Sequence, residues 1–165
     1  MRKHGTMILL ILIPVLILGL VSNIVSNKNI KSVNNSASEI ADNSMLSIEA
    51  LGEIRQDTQS LHTQALSHIV ATDLDSMLDI VEGLRDTQSG LAASLDEYEQ
   101  FVSADDQDNF QALKDGIDQF NYHLADLLAF SGAGENEKAY ALANGELSDS
   151  ADNVEAVAAK LIASA

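Results

Sequence analysis

Cysteine is absent from the 165 residues, tryptophan is absent, and proline occurs once. Without thiols there are no disulfides, no thiolate metal sites and no cysteine nucleophile. One proline and nine glycines are too few turn residues for a β-sandwich or barrel, which needs them every few positions. Aromatic residues make up 4% of the chain, too sparse for a stacking platform that binds single-stranded nucleic acid. Cationic side chains are also scarce, nine Lys plus Arg against twenty-five Asp plus Glu, for a net charge of −16. Binding duplex phosphates requires the opposite balance, so nucleic acid is excluded as a partner.

What is present is segregated. Arg2 and Lys3 precede an uncharged run from Met7 to Val25, and all twenty-five acids follow residue 38. From Ser26 onward seven basic residues face those twenty-five acids, giving −18. The 19 residues of 7–25 approach the roughly 20 needed to span a bilayer as a helix. The run is long for a signal peptide, and Val21-Ser-Asn-Ile-Val25 offers no small-residue cleavage pattern. Residues 1–6 are therefore read as a cytoplasmic N-terminus, fixed inside by Arg2 and Lys3, and 7–25 as a transmembrane helix. Residues 26–165 then lie outside the cytoplasmic membrane. Pro14 is tolerable within a membrane helix.

Beyond the membrane exit a heptad pattern runs through Ile30, Ala37, Ser44, Leu51, Thr58 and Ala65, and through Val33, Ile40, Ser47, Ile54, Leu61 and His68. Alternating steps of three and four mark one helix face. Met45 and Ile48 thicken the stripe and suggest a second face for a partner helix, hence a homodimer packed along the first helix. No stop signal intervenes, so the first helix is expected to run unbroken from about Thr6 to Val70. Thr72-Asp-Leu-Asp75 offers a stop and a fresh cap. A second stripe follows at Leu74, Met77, Val81, Leu84, Gln88, Leu91, Leu95, Tyr98 and Val102. Ser103-Ala-Asp-Asp106 has the form of a capping box. The third stripe is Phe110, Leu113, Ile117, Phe120, Leu124 and Leu127, ended by Ser131-Gly-Ala-Gly134. Asn136 is the expected cap of a fourth helix bearing Ala139, Ala143, Leu147, Ala151, Val154, Ala158 and Leu161, with Asn144-Gly145 as its one potential break. The expected helices are thus 26–71, 74–102, 104–131 and 136–165. The fold class is all-α: an N-terminal transmembrane helix continuous with an antiparallel up-down-up-down four-helix bundle. Gly52, Gly83, Gly90, Gly116 and Gly145 fall inside these helices at a cost of roughly 1 kcal/mol each relative to alanine, so the bundle is loosely specified.

No catalytic or metal signature accompanies this pattern. The residues three before His62, His68 and His123 are Gln59, Ala65 and Phe120, so the Glu-x-x-His pairs of di-iron bundles are missing. His-Glu-x-x-His, Cys-x-x-Cys-His, phosphate-binding loops and the Gly-x-Ser-x-Gly elbow are missing too. Asp73-x-Asp75 and Asp105-Asp-x-Asp108 lack the glycine and glutamate of a calcium loop and sit where helix dipoles favour carboxylates. No enzyme, cofactor or metal site is expected. His68 is expected as a half-buried polar residue at the distal bundle end. Arg55 is the lone arginine of the first helix. If a small anionic solute binds, Arg55 is its expected partner, with Gln59 and His62 one and two turns along roughly the same face.

The order of elements resembles the four-helix-bundle sensor domain of bacterial methyl-accepting chemotaxis proteins. The resemblance rests on Met7–Val25, on Leu61-His-Thr-Gln-Ala-Leu-Ser-His-Ile-Val70 before the first turn, on Leu95-Asp-Glu-Tyr98, and on Gly134-Glu-Asn-Glu-Lys-Ala-Tyr-Ala-Leu142. It implies a homodimeric receptor module in the bacterial inner membrane. Its partner would be a small-molecule ligand or a periplasmic-type binding protein, docked distally at the interface of first and fourth helices. The signal would pass down the fourth helix. Amino-acid receptors of that family carry several arginines on the distal first helix, whereas this sequence has Arg55 alone, with Ser60 and Gln64 further along. The second membrane span, the linker and the methylated region of such receptors are not in the sequence. The fourth helix carries no stop signal at its end, so the native chain is expected to continue for about 10–20 residues into a second apolar span. The competing reading is a membrane-anchored helical adaptor with no small ligand; a second span past Ala165 would discriminate against it.

Overall fold

The computed structural model describes Ser38 and residues 41–165, and Asn43–Ala165 forms one compact unit. Five helices are described: α1 over 41–70, α2 Leu74–Glu99, α3 Gln107–Gly132, α4 Asn136–Asn144 and α5 Glu146–Ser164. No strand occurs among the described residues. The expected span at 7–25, and the first helix before residue 41, lie outside them. No helix among the described residues is long and apolar enough to cross a membrane.

Inter-helix hydrogen bonds fix the topology. Glu53 accepts from Ser94 at 2.8 Å and Gln64 donates to Thr87 at 3.0 Å, so α1 and α2 run antiparallel. The Gln88 amide donates to Asn121 at 2.9 Å, and Tyr98 meets Phe110 at 5.8 Å between ring centres, which makes α2 and α3 antiparallel. Ser44 Oγ donates to the Ala165 carbonyl while His62 meets Ala143, so α5 and α4 run back along α1. Four rods result, the last of them made of α4 and α5 in line of chain.

The stripes account for the core. Leu51, Ile54, Leu61 and Ala65 of α1 are fully buried, as are Leu113, Phe120, Leu124 and Leu127 of α3 and Leu147, Val154, Ala158 and Leu161 of α5. The buried hydroxyls in the α1 heptad are tolerated because both are satisfied inside their own turns: Thr58 donates to the Ile54 carbonyl at 2.8 Å, and Ser47 to that of Ser44 at 2.9 Å. Among the described residues no buried side-chain nitrogen or oxygen lacks a partner.

Several expectations need correction. Met45 (66% exposed) and Ile48 (42%) do not thicken the core seam but face outward with Leu46, so the face they form is separate from the bundle core. Leu74, first on the second stripe, is exposed because it opens α2 at a chain turn, before that helix meets the others. The second helix stops at Glu99 rather than Val102, where the Phe101 and Val102 amides take i−3 carbonyls in tighter turns. The third begins at Gln107, not 104: Ser103 Oγ receives the Asp106 amide at 3.2 Å and donates to Asp106 Oδ2 at 2.7 Å, holding the box residues in a turn ahead of the helix. Asn136 is not the cap of α4; Glu135 holds that position with no side-chain cap bond. The fourth helix is not continuous over 136–165 but breaks at Gly145.

Two caps follow the sequence signals. Asp73 Oδ1 accepts the Ser76 amide at 2.8 Å, which together with the Ser76 hydroxyl holds its carboxyl below the usual range. Gly134 has φ of 77°, with the Glu135 amide on the Phe130 carbonyl at 2.9 Å and its own amide on Ser131 at 3.0 Å. That is the double bond of a Schellman stop, and its left-handed residue has to be free of Cβ crowding.

Candidate functional site

The α1–α5 seam carries an ion pair that joins two rods at the bundle surface. Arg55 and Glu155 meet across it in a two-pronged ion pair: Nε donates to Oε2 at 2.7 Å, and Nη2 to Oε1. The side chains are 40% and 49% exposed, so the pair is open to solvent. The guanidinium hydrogen bond holds the Glu155 carboxyl below its ordinary range, against a smaller opposing effect of desolvation. Glu155 in turn raises the Arg55 pKa further above its already high value. Around the pair lies a cleft of about 80 Å³ lined by Arg55, Thr58, Gln59, Ala151, Asp152 and Glu155.

Helical spacing explains which expected residues come together. Arg55 and Gln59 are one turn apart and both line the cleft. His62, the next step along, does not line it. Its ring is half-buried and Nε2 donates to the Ala143 carbonyl at 3.0 Å, at the end of α4. The three residues therefore lie along one seam but serve two places. Glu155 and Asp152 were not legible as site residues, because nothing in the α5 sequence marks which of its many acids falls opposite Arg55.

Other polar groups are committed elsewhere. His68 is 4% exposed, more buried than expected; Nδ1 lies 2.8 Å from Ser131 Oγ, and burial pushes its pKa down. A cleft of about 290 Å³ involves Ser44, Tyr98, Asp106 and Ser164. There the Asp106 carboxylate already accepts from Ser103 and Ser164, which keeps it ionised. A third, of about 220 Å³, lies between α3 and α5 beside His123, Glu146 and Asp149. Among the described residues no group of three or more histidines or acids is placed to hold a metal ion.

Residues 5–164 match a family model described as a four helix bundle sensory module for signal transduction. The chain belongs to this family. The match bears out the resemblance to chemoreceptor sensor domains, and the matched residues include the apolar run at 7–25. No curated protein and no solved structure matches the chain. An exposed ion pair such as Arg55–Glu155 contributes about 0–1 kcal/mol, little enough for a competing charged group to displace one partner.

Proposed function

We propose that this sensory module detects a small anionic solute outside the cytoplasmic membrane at the Arg55–Glu155 cleft. Its carboxylate-like group takes the place of Glu155 on the guanidinium, and Gln59 supplies an amide. The two-pronged geometry of the existing pair is the observation that carries this reading: Arg55 is already held in the orientation that grips a planar anion. A cleft of about 80 Å³ takes the charged end of a solute rather than a whole one. The rest of the ligand lies against the surface or against a second subunit.

Displacing Glu155 removes one surface tie between α1 and α5 while their buried contacts remain, and the resulting small shift between the two packed helices is the signal, carried along α5. In this reading residues 7–25 anchor the module, Arg2 and Lys3 keep the N-terminus inside, and the acidic bundle faces out. The outward face of Met45, Leu46 and Ile48 packs against the same face of a second copy, making a homodimer. His62 acts beside the cleft rather than on the solute.

The chain has no cysteine, so any introduced thiol is unique. Asp152→Cys, labelled with an environment-sensitive dye in membrane-embedded protein, is expected to change emission on titration with a small dicarboxylate or sulfonate. The change should saturate and should vanish with Arg55→Ala. No response to any anion tested would refute the site. Lys3→Cys and Lys31→Cys should label from opposite sides of sealed vesicles; labelling from one side would refute the topology.

A further inference from the structure

The fourth rod is two helices, and its joint is finished on both sides. At the end of α4 the Gly145 amide takes the Leu142 carbonyl at 3.3 Å, and the Asn144 side-chain amide takes that of Tyr140 at 2.8 Å. The Ala143 carbonyl is taken by His62 from α1. On the other side the Gly145 carbonyl receives the Asp149 amide at 2.9 Å and starts α5 afresh. The Leu142 and Ala143 carbonyls, which a continuous helix would give to the amides of residues 146 and 147, are thus taken by the Gly145 amide and by His62, which distinguishes a built joint from a bend. A Cβ at residue 145 would sit 3.1 Å from the Ala141 carbonyl oxygen, so the close backbone approach at this joint favours glycine.

The two pieces are anchored unequally. Over nine residues α4 buries only Ala139 and Ala143, and Tyr140 is 60% exposed. The 19 residues of α5 bury Leu147, Val154, Val157 and Leu161 with three smaller side chains. Local opening is least costly where few apolar groups are buried. Of the three bonds at the α4 end, only that of His62 comes from another rod, and α1 also holds Arg55 two turns below.

We propose that Gly145 is a hinge and that His62 is the latch that ties α4 to α1. With the latch made, α4 sits as an extension of the rod; with it broken, α4 swings on Gly145 while α5 stays packed. His62 is then a positioning residue, acting on α4 through the Ala143 carbonyl. The hinge stands on packing and hydrogen bonds and does not need the anion site. If both hold, movement of α4 is decoupled from α5, and only contacts below Gly145, the Arg55–Glu155 tie first among them, drive α5.

Hydrogen exchange read by mass spectrometry on the full chain in nanodiscs, with no ligand added, tests this apart from any sensing role. In the unaltered protein, amides of 138–144 should exchange faster than those of 150–161. His62→Ala should speed exchange over 138–144 by roughly threefold to tenfold, the worth of one net hydrogen bond, and leave 150–161 and 113–127 unchanged. His62→Gln, which keeps a side-chain donor, should recover much of the protection. The hinge is overturned if 138–144 and 150–161 exchange as one unit in the unaltered protein. The latch is overturned if His62→Ala leaves 138–144 unchanged or speeds both segments alike.

Discussion

Removing the Ser131 hydroxyl should cost far more than its size suggests. Ser131 is 1% exposed and its Oγ lies 2.8 Å from His68 Nδ1 and 3.3 Å from the His68 carbonyl. It ties the end of α3 to the end of α1. Ser131→Ala deletes one methyl-sized group yet leaves a buried ring nitrogen with no partner, a penalty of about 1–3 kcal/mol. For a domain of this size that is a fall in Tm of about 4–12 °C. The same ring makes the tie pH-dependent. Burial lowers the folded pKa of His68 below that of the unfolded chain, so between the two values the unfolded state binds more protons. This contribution to stability is therefore complete above about pH 6.5 and is lost as the pH falls below that value toward the folded pKa. His68→Leu should flatten that part of the profile, because it removes the titrating ring, while Ser131 Oγ can still donate to the residue 68 carbonyl. Urea titrations at a series of pH values from about 7.5 to 5 read both effects. An unchanged midpoint for Ser131→Ala, or a His68→Leu profile parallel to the unaltered one, would refute the buried tie.

Gly134→Ala should lower stability by about 1 kcal/mol, because φ of 77° crowds a Cβ; thermal melts that coincide with the parent would contradict the Schellman stop. A double-mutant cycle of Arg55→Ala and Glu155→Ala should give a coupling of only about 0.2–1 kcal/mol, given the exposure of both side chains; a coupling above about 3 kcal/mol would mean that the pair is structural rather than exchangeable. Phe120→Ala, at a fully buried position, should cost about 3–5 kcal/mol in chemical denaturation. Sedimentation of the membrane-extracted chain should show a dimer that Ile48→Glu converts to monomer; a dimer insensitive to that change would place the interface elsewhere.

The helical stripes were legible because burial imposes the three-four period wherever a helix lies on a core. The third stripe is buried at every expected position, Phe110 through Leu127. Gly134 was legible as a stop because few other residues adopt a left-handed backbone. The break at Asn144-Gly145 was visible only as a weak signal. At that break His62 takes the Ala143 carbonyl from 81 residues away, and no local pattern reports such a bond. Glu155 was hidden for the same reason, since α1–α5 register is a property of the packed bundle. Met45 and Ile48 were read as thickening the stripe and offering a second face beside it; the stripe's period cannot tell the two apart, and in the packed bundle both are exposed.

Exchange of an anion for Glu155 on Arg55 can be read by thermal shift of the full chain in nanodiscs against a panel of small mono- and dianionic solutes. A solute at a hundred times its Kd should stabilise the unaltered protein by about 2.7 kcal/mol, a rise in Tm of about 10 °C. Arg55→Ala should abolish the rise. Glu155→Gln, which removes the competing carboxylate, should keep it and bring it on at lower solute concentration. A panel that leaves the unaltered protein unmoved, or a rise that survives Arg55→Ala undiminished, would contradict the account.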